Sequence, residues 1–270
     1  MIVAAAREAL GSATDALEAA GCETPRLDAE LLVADSLGVD RAALIADREL
    51  DVDGPAARVI AERIRRRVAR EPVAYILGRR GFRRIELAVD PRVLVPRPET
   101  ELLVEVALEL PEGGWAHDVG TGSGAVALAL RDERPDLRVS ASDSSAGAIE
   151  VARANAARLE LDVELDITAG IPPEVAPDLV LANLPYVREN EWAGLAPEIN
   201  RFEPRDALVA GPDGLDAIRA LAQGGEPGTR VALEHSPDQA EAVRALLAEA
   251  ETRLDLAGRE RVTLGHLRGG

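Results

Sequence analysis

Apolar positions recur at three- and four-residue spacing in the first part of the chain, at Ala16-Leu17, Leu27, Leu31-Leu32 and Leu37. That is the period of helices with one buried face. Gly21, Gly38 and Gly54-Pro55 interrupt it. The pattern therefore predicts several short helices, with Asp53 placed to start the one that follows it. No strand signal is visible before about residue 75, and a small helical bundle is expected there. The pattern then changes: Phe82, Ile85, Leu87 and Val89 alternate with polar or small residues, which predicts a half-buried strand. Val93-Leu94-Val95 reads as a second short strand, punctuated by Pro91, Pro96 and Pro98. A hairpin linking two domains fits this stretch.

From residue 99 a helix is expected to about 110, and strands and helices then alternate. Strands are predicted over 116–119, 138–141, 178–182, 230–234 and 261–267, and helices over 125–131, 146–159, 213–221 and 237–250. This rhythm implies an α/β fold, a doubly wound and mostly parallel sheet with helices on both faces. The expected organisation is an N-terminal helical bundle over 1–77, a β-hairpin linker over 78–98 and an α/β domain over 99–270.

Composition agrees with a soluble globular protein: 270 residues, 47% hydrophobic and 29% charged, with a core that relies on aliphatic side chains because only 2% are aromatic. The net charge of −17 argues against recruiting nucleic acid by bulk charge. Lysine is absent, so every fixed cation is an arginine, and the densest group, Arg63, Arg65, Arg66, Arg67 and Arg70, reads as a solvated helix face. Cys22 is the only cysteine, which excludes an intrachain disulfide and suits a reducing compartment. The opening residues carry Arg7 and Glu8 with no long apolar run, so neither a secretion signal nor a membrane span is expected. A cytoplasmic monomer without a membrane partner is the expectation. His117, His235 and His266 are scattered without ligand spacing, and no metal site is expected.

Two segments carry candidate chemistry. The first is Asp118-Val119-Gly120-Thr121-Gly122-Ser123-Gly124, between a predicted strand and a predicted helix. Its three alternating glycines permit a sharp turn and close approach of a ligand, and the N–H groups at the helix start suit a polar or acidic group. Asp143 follows Gly124 by nineteen residues at the end of the next strand, where a carboxylate can accept both hydroxyl hydrogens of a ribose. Gly120, Gly122 and Ala125 also satisfy a dinucleotide fingerprint, so a nicotinamide dehydrogenase competes. Against it, Asp118 would repel a pyrophosphate and attract a methionine ammonium, and no later cluster resembles a hydride-transfer acid or base. The plainer alternative is a tight turn without a ligand.

The second segment is Asn183-Leu184-Pro185-Tyr186, directly after the apolar strand 179–182. Ligands in open α/β sheets lie beyond the carboxyl ends of strands, so this tetrapeptide is expected beside the glycine turn. An amide nitrogen is a poor nucleophile, and its attack on a sulfonium methyl builds positive charge on it. Two acceptors aimed at its hydrogens hold it in line and stabilise that charge. The Asn183 side-chain oxygen and the Leu184 carbonyl are the candidates, with Pro185 restricting the backbone and Tyr186 offering a flat stacking face. No general base is required for the methyl step. In isolation the tetrapeptide reads first as an Asn-X-Pro turn ending a buried strand; its place one strand-helix-strand unit after the glycine site reverses that preference.

These segments resemble the class I methyltransferases that modify exocyclic or amide nitrogens. More narrowly, the chain resembles the release factor glutamine methyltransferases, the HemK/PrmC family. Further matches are Glu71-Pro72-Val73-Ala74-Tyr75-Ile76-Leu77-Gly78, Val95-Pro96-Arg97-Pro98-Glu99-Thr100-Glu101, Arg201-Phe202-Glu203-Pro204 and Glu260-Arg261-Val262-Thr263-Leu264-Gly265. The resemblance implies a seven-stranded Rossmann-like methyltransferase domain behind a substrate-binding helical bundle, and S-adenosyl-L-methionine as cofactor. It implies as substrate the glutamine of the Gly-Gly-Gln loop in peptide chain release factors, methylated on its side-chain nitrogen. By the family motifs, Asp118, Gly120, Thr121, Gly122, Ser123 and Gly124 would hold the methionine end of the cofactor, Asp143 its ribose, and Asp166 and Ile167 its adenine. Asn183 would touch cofactor and substrate, and Asn183, Leu184, Pro185 and Tyr186 would bind the glutamine and carry the catalysis. The family usually has Asn-Pro-Pro-Tyr, and Leu184 departs from it. The acceptor there is a backbone carbonyl, so function is expected to persist with a looser loop.

Trp192 and Phe202 are candidates for the acceptor pocket or for ordinary core, and the Arg97-Pro98 loop for reaching the site or serving as a plain linker. The N-terminal bundle is expected to grip the protein substrate, or else to act as a stabilising cap. Two rival functions remain: a nucleic-acid adenine or guanine N-methyltransferase with a flipped base on Tyr186, and an inactive cofactor-binding scaffold that holds release factors. The charge weighs against the first, and stable nucleic-acid binding is not expected.

Overall fold

The computed structural model describes residues 2–268; Met1, Gly269 and Gly270, the outer ends of the expected domains, lie outside the described residues. In chain order the first elements are β1 (Ile2–Ala5), α1 (Ala6–Ala19), α2 (Pro25–Ser36), α3 (Arg41–Ala46), β2 (Asp51–Asp53), α4 (Gly54–Val68) and α5 (Val73–Leu77). There follow β3 (Arg79–Phe82), β4 (Ile85–Ala88), α6 (Glu101–Leu108), β5 (Trp115–Val119), α7 (Ala125–Glu133), β6 (Arg138–Asp143), α8 (Ala146–Leu159), β7 (Glu164–Ile167) and β8 (Leu179–Ala182). The last are α9 (Pro197–Phe202), α10 (Asp216–Gly224), β9 (Arg230–Glu234), α11 (Ala240–Leu246), β10 (Leu247–Leu254) and β11 (Glu260–Leu267). The chain forms two compact units.

The first unit holds Met1–Gly78 together with Ala196–Phe202. Leu10, Leu17, Leu32, Val33, Leu44, Ile60 and Ile64 form its core, drawn from the buried faces of α1 to α4. Asp53 caps α4 through its side chain, which accepts from the Ala56 N–H at 2.8 Å. The short antiparallel pair β1–β2 was not anticipated, because a three-residue strand with one buried position, Val52, is too short to show a period. The arginine group is also not a uniformly solvated face. Arg67 is buried between Asp28 and Glu198, each at 2.7 Å; Arg70 pairs with Glu198, Arg63 with Asp35, and Arg66 with Glu71. Only Arg65, paired with Glu62, lies largely in solvent.

The second unit, Arg79–Leu195 and Glu203–Gly270, contains a seven-stranded sheet of order β10-β11-β9-β8-β5-β6-β7. The strands β5 to β9 run parallel; β11 pairs antiparallel with β9, and β10 pairs antiparallel with β11, so β10 points the same way as β9. This is the doubly wound α/β arrangement expected. β8 is buried at every position, as its unbroken apolar run requires with helices on both faces. One face packs Val180, Ala182, Val231 and Leu233 against Ile218 and Leu221 of α10 and Val243 of α11. α6, α7 and α8 contact β8, β5 and β6 in turn.

Three sequence expectations are corrected. The predicted strand over Phe82 to Val89 is a hairpin, β3 and β4, turning at Arg83-Arg84, where Arg83 has φ 49°. Val93-Leu94-Val95 lies outside the strands of the structure; Val93 and Val95 are buried, and the Val95 N–H donates to the Glu203 carboxylate at 3.1 Å. The last helix ends at Leu246, and Leu247–Leu254 becomes β10, whose pairing with β11 overrides the helical spacing of its alanines and leucines.

Burial of Arg67 gives a stability prediction. Asp28→Ala leaves the guanidinium with fewer compensating charges, and urea denaturation is expected to show a loss of about 3 kcal/mol. An unchanged midpoint would mean that the pair contributes nothing net.

Candidate active site

The parallel ladder between β5 and β8 places Val119 opposite Ala182. The residues that follow each strand, Gly120 and Asn183, are therefore neighbours at the point where the strand order reverses. Gly120 has φ 75°, and a Cβ there would lie 3.0 Å from Leu184 Cδ2, so the close approach of the two segments requires glycine.

The glycine turn is fixed by β6. The N–H groups of Gly120 and Thr121 donate to the Ser142 carbonyl at 2.8 and 3.1 Å, and the Gly122 N–H donates to Asp143 Oδ2 at 2.9 Å. Asp143 Oδ1 accepts from the Ser145 N–H at 2.8 Å. Each carboxylate oxygen keeps a second lone pair for a ligand hydroxyl. From behind, Asn155 of α8 donates to the carbonyls of Ser123 and Ala88 at 2.9 and 3.0 Å, which ties the turn to β4.

Beneath the turn runs a buried polar relay. Trp115 Nε1 donates to Ser140 Oγ, which bonds His117 Nδ1 at 2.8 Å. His117 Nε2 bonds Ser142 Oγ at 3.0 Å, and that hydroxyl donates to the Gly170 carbonyl. The directions at both ends make the ring the Nε2–H tautomer. Burial lowers its pKa to about 4, so it is neutral at ordinary pH and serves structure.

Two adjoining cavities open at these strand ends. One, of about 380 Å³, is lined by Arg92, Val93, Gly120, Gly122, Asp143, Ser144, Asn183, Leu184 and Pro185, among others. The other, of about 540 Å³, shares Gly120, Ser144, Leu184 and Pro185 and adds Thr168 to Ile171 and one side of α10. The structure thus gathers Gly120, Gly122, Asp143, Asn183, Leu184 and Pro185 at one cavity of a size suited to a small organic ligand.

Other expected residues lie elsewhere. Asp118, Thr121, Ser123 and Gly124 line neither cavity. The Asp118 carboxylate accepts from Thr121 Oγ1 at 2.7 Å and is fully buried, and that burial pushes its pKa up to about 7. Asp166 and Ile167 end β7 without lining either cavity, while the next residue, Thr168, does line one. Tyr186 lines a separate cleft with Val187, Asn190 and Leu195. Trp192 lies below the Arg205 guanidinium at 5.9 Å, and Phe202 folds with the first unit. The Arg97 loop is clamped by the ion pair of Arg97 with Glu203 at 2.5 Å.

Asn183 Nδ2 donates to Thr100 Oγ1 at 2.8 Å. Among the described residues, neither Asn183 Oδ1 nor the Leu184 carbonyl accepts a hydrogen bond. Both residues line the cavity, and on each of them one acceptor is uncommitted among the described residues. The Tyr186 backbone behind them is held by Gln239, whose Nε2 donates to the Tyr186 carbonyl at 2.9 Å and to the Asp213 carbonyl at 3.0 Å. Gly214 permits this, since a Cβ there would strike both the Tyr186 carbonyl and the Gln239 amide. Tyr186 Oη donates to Glu234 Oε1 at 3.3 Å. Sequence reasoning missed Thr100, Glu234 and Gln239 as site residues. The available signal was a carboxylate ending an apolar parallel strand beside the reversal of strand order.

Comparison with known proteins agrees with this architecture. The PrmC N-terminal domain family matches residues 8–78, and the methyltransferase small domain family matches 98–198. The release factor glutamine methyltransferase of Burkholderia pseudomallei is 43% identical over 90% of this chain and 92% of its own. That of Neisseria gonorrhoeae is 49% identical over 74% and 78%, and that of Mycolicibacterium smegmatis 41% identical over 94% and 95%.

The raised pKa of Asp118 has a direction that can be measured. The folded carboxyl holds its proton to about 7, whereas the usual value is 3.8. Its contribution to stability is therefore present below about 4 and is lost as the pH rises through about 7. Urea titrations of wild type and Asp118→Asn across this range should show wild type losing stability relative to the variant. Parallel curves would place no shifted proton on Asp118.

Proposed function

This chain belongs to the family of release factor glutamine methyltransferases, and we propose on that ground that it methylates the side-chain amide nitrogen of the glutamine in the Gly-Gly-Gln motif of peptide chain release factors. The observation that supports this chemistry best is the pair of free acceptors, Asn183 Oδ1 and the Leu184 carbonyl, at a cavity shared with Gly120, Gly122 and Asp143. S-adenosylmethionine, when bound, supplies an electrophilic methyl on a sulfonium, and the residues present suit it. Gly122, with φ 56° and open space where a Cβ would stand, leaves room beside the turn, and Asp143 offers lone pairs to ribose hydroxyls. Thr168 to Ile171, lining the adjoining cavity, suit the adenine better than Asp166 and Ile167 do. Asp118 acts from behind, fixing Thr121 and so the turn.

An amide NH₂ has two hydrogens and a lone pair delocalised into its carbonyl. The Asn183 oxygen and Leu184 carbonyl accept one hydrogen each, so the nitrogen is held in place and the positive charge it gains is stabilised as it forms. With the cofactor bound, the nitrogen held by Asn183 and Leu184 would take the methyl through its electron pair, the cofactor would keep the C–S electrons as a neutral thioether, and the surplus proton would pass to water. No side chain need act as base. Leu184 can fill its position because the donated group is its backbone carbonyl, and its side chain packs over Gly120. The helical unit at the N-terminus, with residues 1–77 as its sequence extent, is the proposed grip on the release factor. We place the reaction in the cytoplasm, with a monomer as the active species and no stable nucleic-acid complex. Among the described residues no helix is long and apolar enough to cross a membrane.

The test is mass spectrometry of a release factor incubated with S-adenosylmethionine and either wild type or Asn183→Ala. A single methyl on the Gly-Gly-Gln peptide, reduced about 100-fold or more in the variant while cofactor binding survives, is expected. Cofactor binding without that methyl would overturn the substrate, and transfer to a nucleic-acid base instead would make the chain a base N-methyltransferase. Leu184→Pro should retain turnover, with kcat within about threefold of wild type.

A further inference from the structure

We propose that Gln239 is a positioning residue for the methyl transfer, whose side-chain amide clamps the Tyr186 carbonyl and so holds the Asn-Leu-Pro-Tyr segment with its acceptors at the cavity. The inference rests on the reading of Asn183 Oδ1 and the Leu184 carbonyl as acceptors for the substrate nitrogen, and adds what keeps their segment in place. Gln239 directly precedes α11 and lines neither cavity, so it acts through the backbone it holds.

Both ends of the Gln239 amide are engaged. Oε1 accepts from the Ser236 N–H at 3.1 Å, and Nε2 donates to the Tyr186 carbonyl at 2.9 Å and to the Asp213 carbonyl at 3.0 Å. The residue is 2% exposed. A backbone N–H can only donate, so Ser236 selects the oxygen, and the nitrogen must face the two carbonyls. The bond to Ser236 belongs to a capping box, where glutamate serves as well as glutamine. Only an amide can make that bond and also donate twice. The need for glutamine is therefore set by the two carbonyls and not by the cap.

The peptide between Tyr186 and Val187 is gripped on both edges. Its carbonyl accepts from Gln239, and its N–H donates to the Leu208 carbonyl at 2.8 Å. At the other end of the segment, Asn183 Nδ2 is tied to Thr100 Oγ1 at 2.8 Å. Between these anchors stand Leu184, whose carbonyl is one of the acceptors, and Pro185, whose ring fixes its own φ. Through Asp213 the same amide reaches the turn before α10, and Asp216, Ala217 and Ala220 of that helix line the larger cavity. One side chain thus sets the acceptor segment against the wall of the adjoining cavity. The charges around Gln239 are already paired, Asp213 with Arg219 and Asp238 with Arg188. Glu234 stands at the hydroxyl end of Tyr186, and burial holds the His235 pKa below its usual value.

The experiment reads kcat on the release factor, Kd for S-adenosylmethionine and the backbone amide resonance of Val187. Gln239→Met keeps the length of the side chain and donates nothing; kcat should fall about 10- to 100-fold while the cofactor Kd stays within about twofold of wild type. Gln239→Glu keeps the shape and the cap. Its carboxyl donates once when protonated and not at all when ionised, so kcat of this variant should fall as the pH rises from about 5 to about 8, beyond any change in wild type. The Val187 signal, read in the absence of release factor, should move over the same range in Gln239→Glu and not in wild type. An unchanged kcat in Gln239→Met, an equal loss of cofactor affinity, or a Gln239→Glu profile that matches wild type overturns the proposal. A Val187 signal that titrates in Gln239→Glu, beside a wild type that methylates no release factor, would leave the clamp standing and overturn the assigned substrate.

Discussion

Val119 and Ala182 are partners in the parallel ladder between β5 and β8, and the chain leaves both strands at the same level. Because the neighbours of these strands lie on opposite sides, the helices that follow depart to opposite faces and leave a crevice between. Gly120 and Asn183 are the first residues past the ladder, so the glycine turn and the Asn183 amide stand side by side. A slip of one residue in this register would send each side chain of β8 to the other face and take the Asn-Leu-Pro-Tyr segment from the glycine turn.

Around this junction the structure uses buried polar groups as fasteners. Asn155 joins the turn to β4, the Trp115–His117 relay reaches the Gly170 loop, and Gln239 holds the Tyr186 backbone. Each connects segments far apart in sequence and satisfies groups that would otherwise be costly to bury. Such fastening holds the strand-end segments in fixed relation to one another, which the proposed methyl transfer, with no side chain as base, would depend on.

The parts of the site that follow strand ends were legible in the sequence, because a glycine turn or an Asn-X-Pro-Tyr segment after an apolar run has a local physical meaning. The β-α rhythm likewise fixed the fold class. Elements whose form depends on a distant partner were not legible: β2 has one buried residue, and β10 is a strand because β11 lies beside it. Asp118 looked like a ligand contact, since a carboxylate before a glycine turn gives no sign of whether it faces out or in; Thr121, three residues later, takes it inward. Glu234 gives no local sign of its role either, since Tyr186, whose hydroxyl it accepts, lies far away in the chain. Arg67 illustrates the same limit, since its neighbours in sequence are solvated and its partners, Asp28 and Glu198, come from other elements.

β10 ends the sheet and leaves one row of backbone groups without a neighbouring strand. Its pairing with β11 is interrupted between Ala248 and Glu251, where Glu249 takes φ 51°, and its exposed positions hold Glu249, Glu251, Arg253 and Leu254. A bulge that twists the border and a row of charges along it are what keep an open sheet from recruiting a strand of another molecule. The bulged, charge-bearing border of β10 is thus also a device against edge-to-edge association with another sheet.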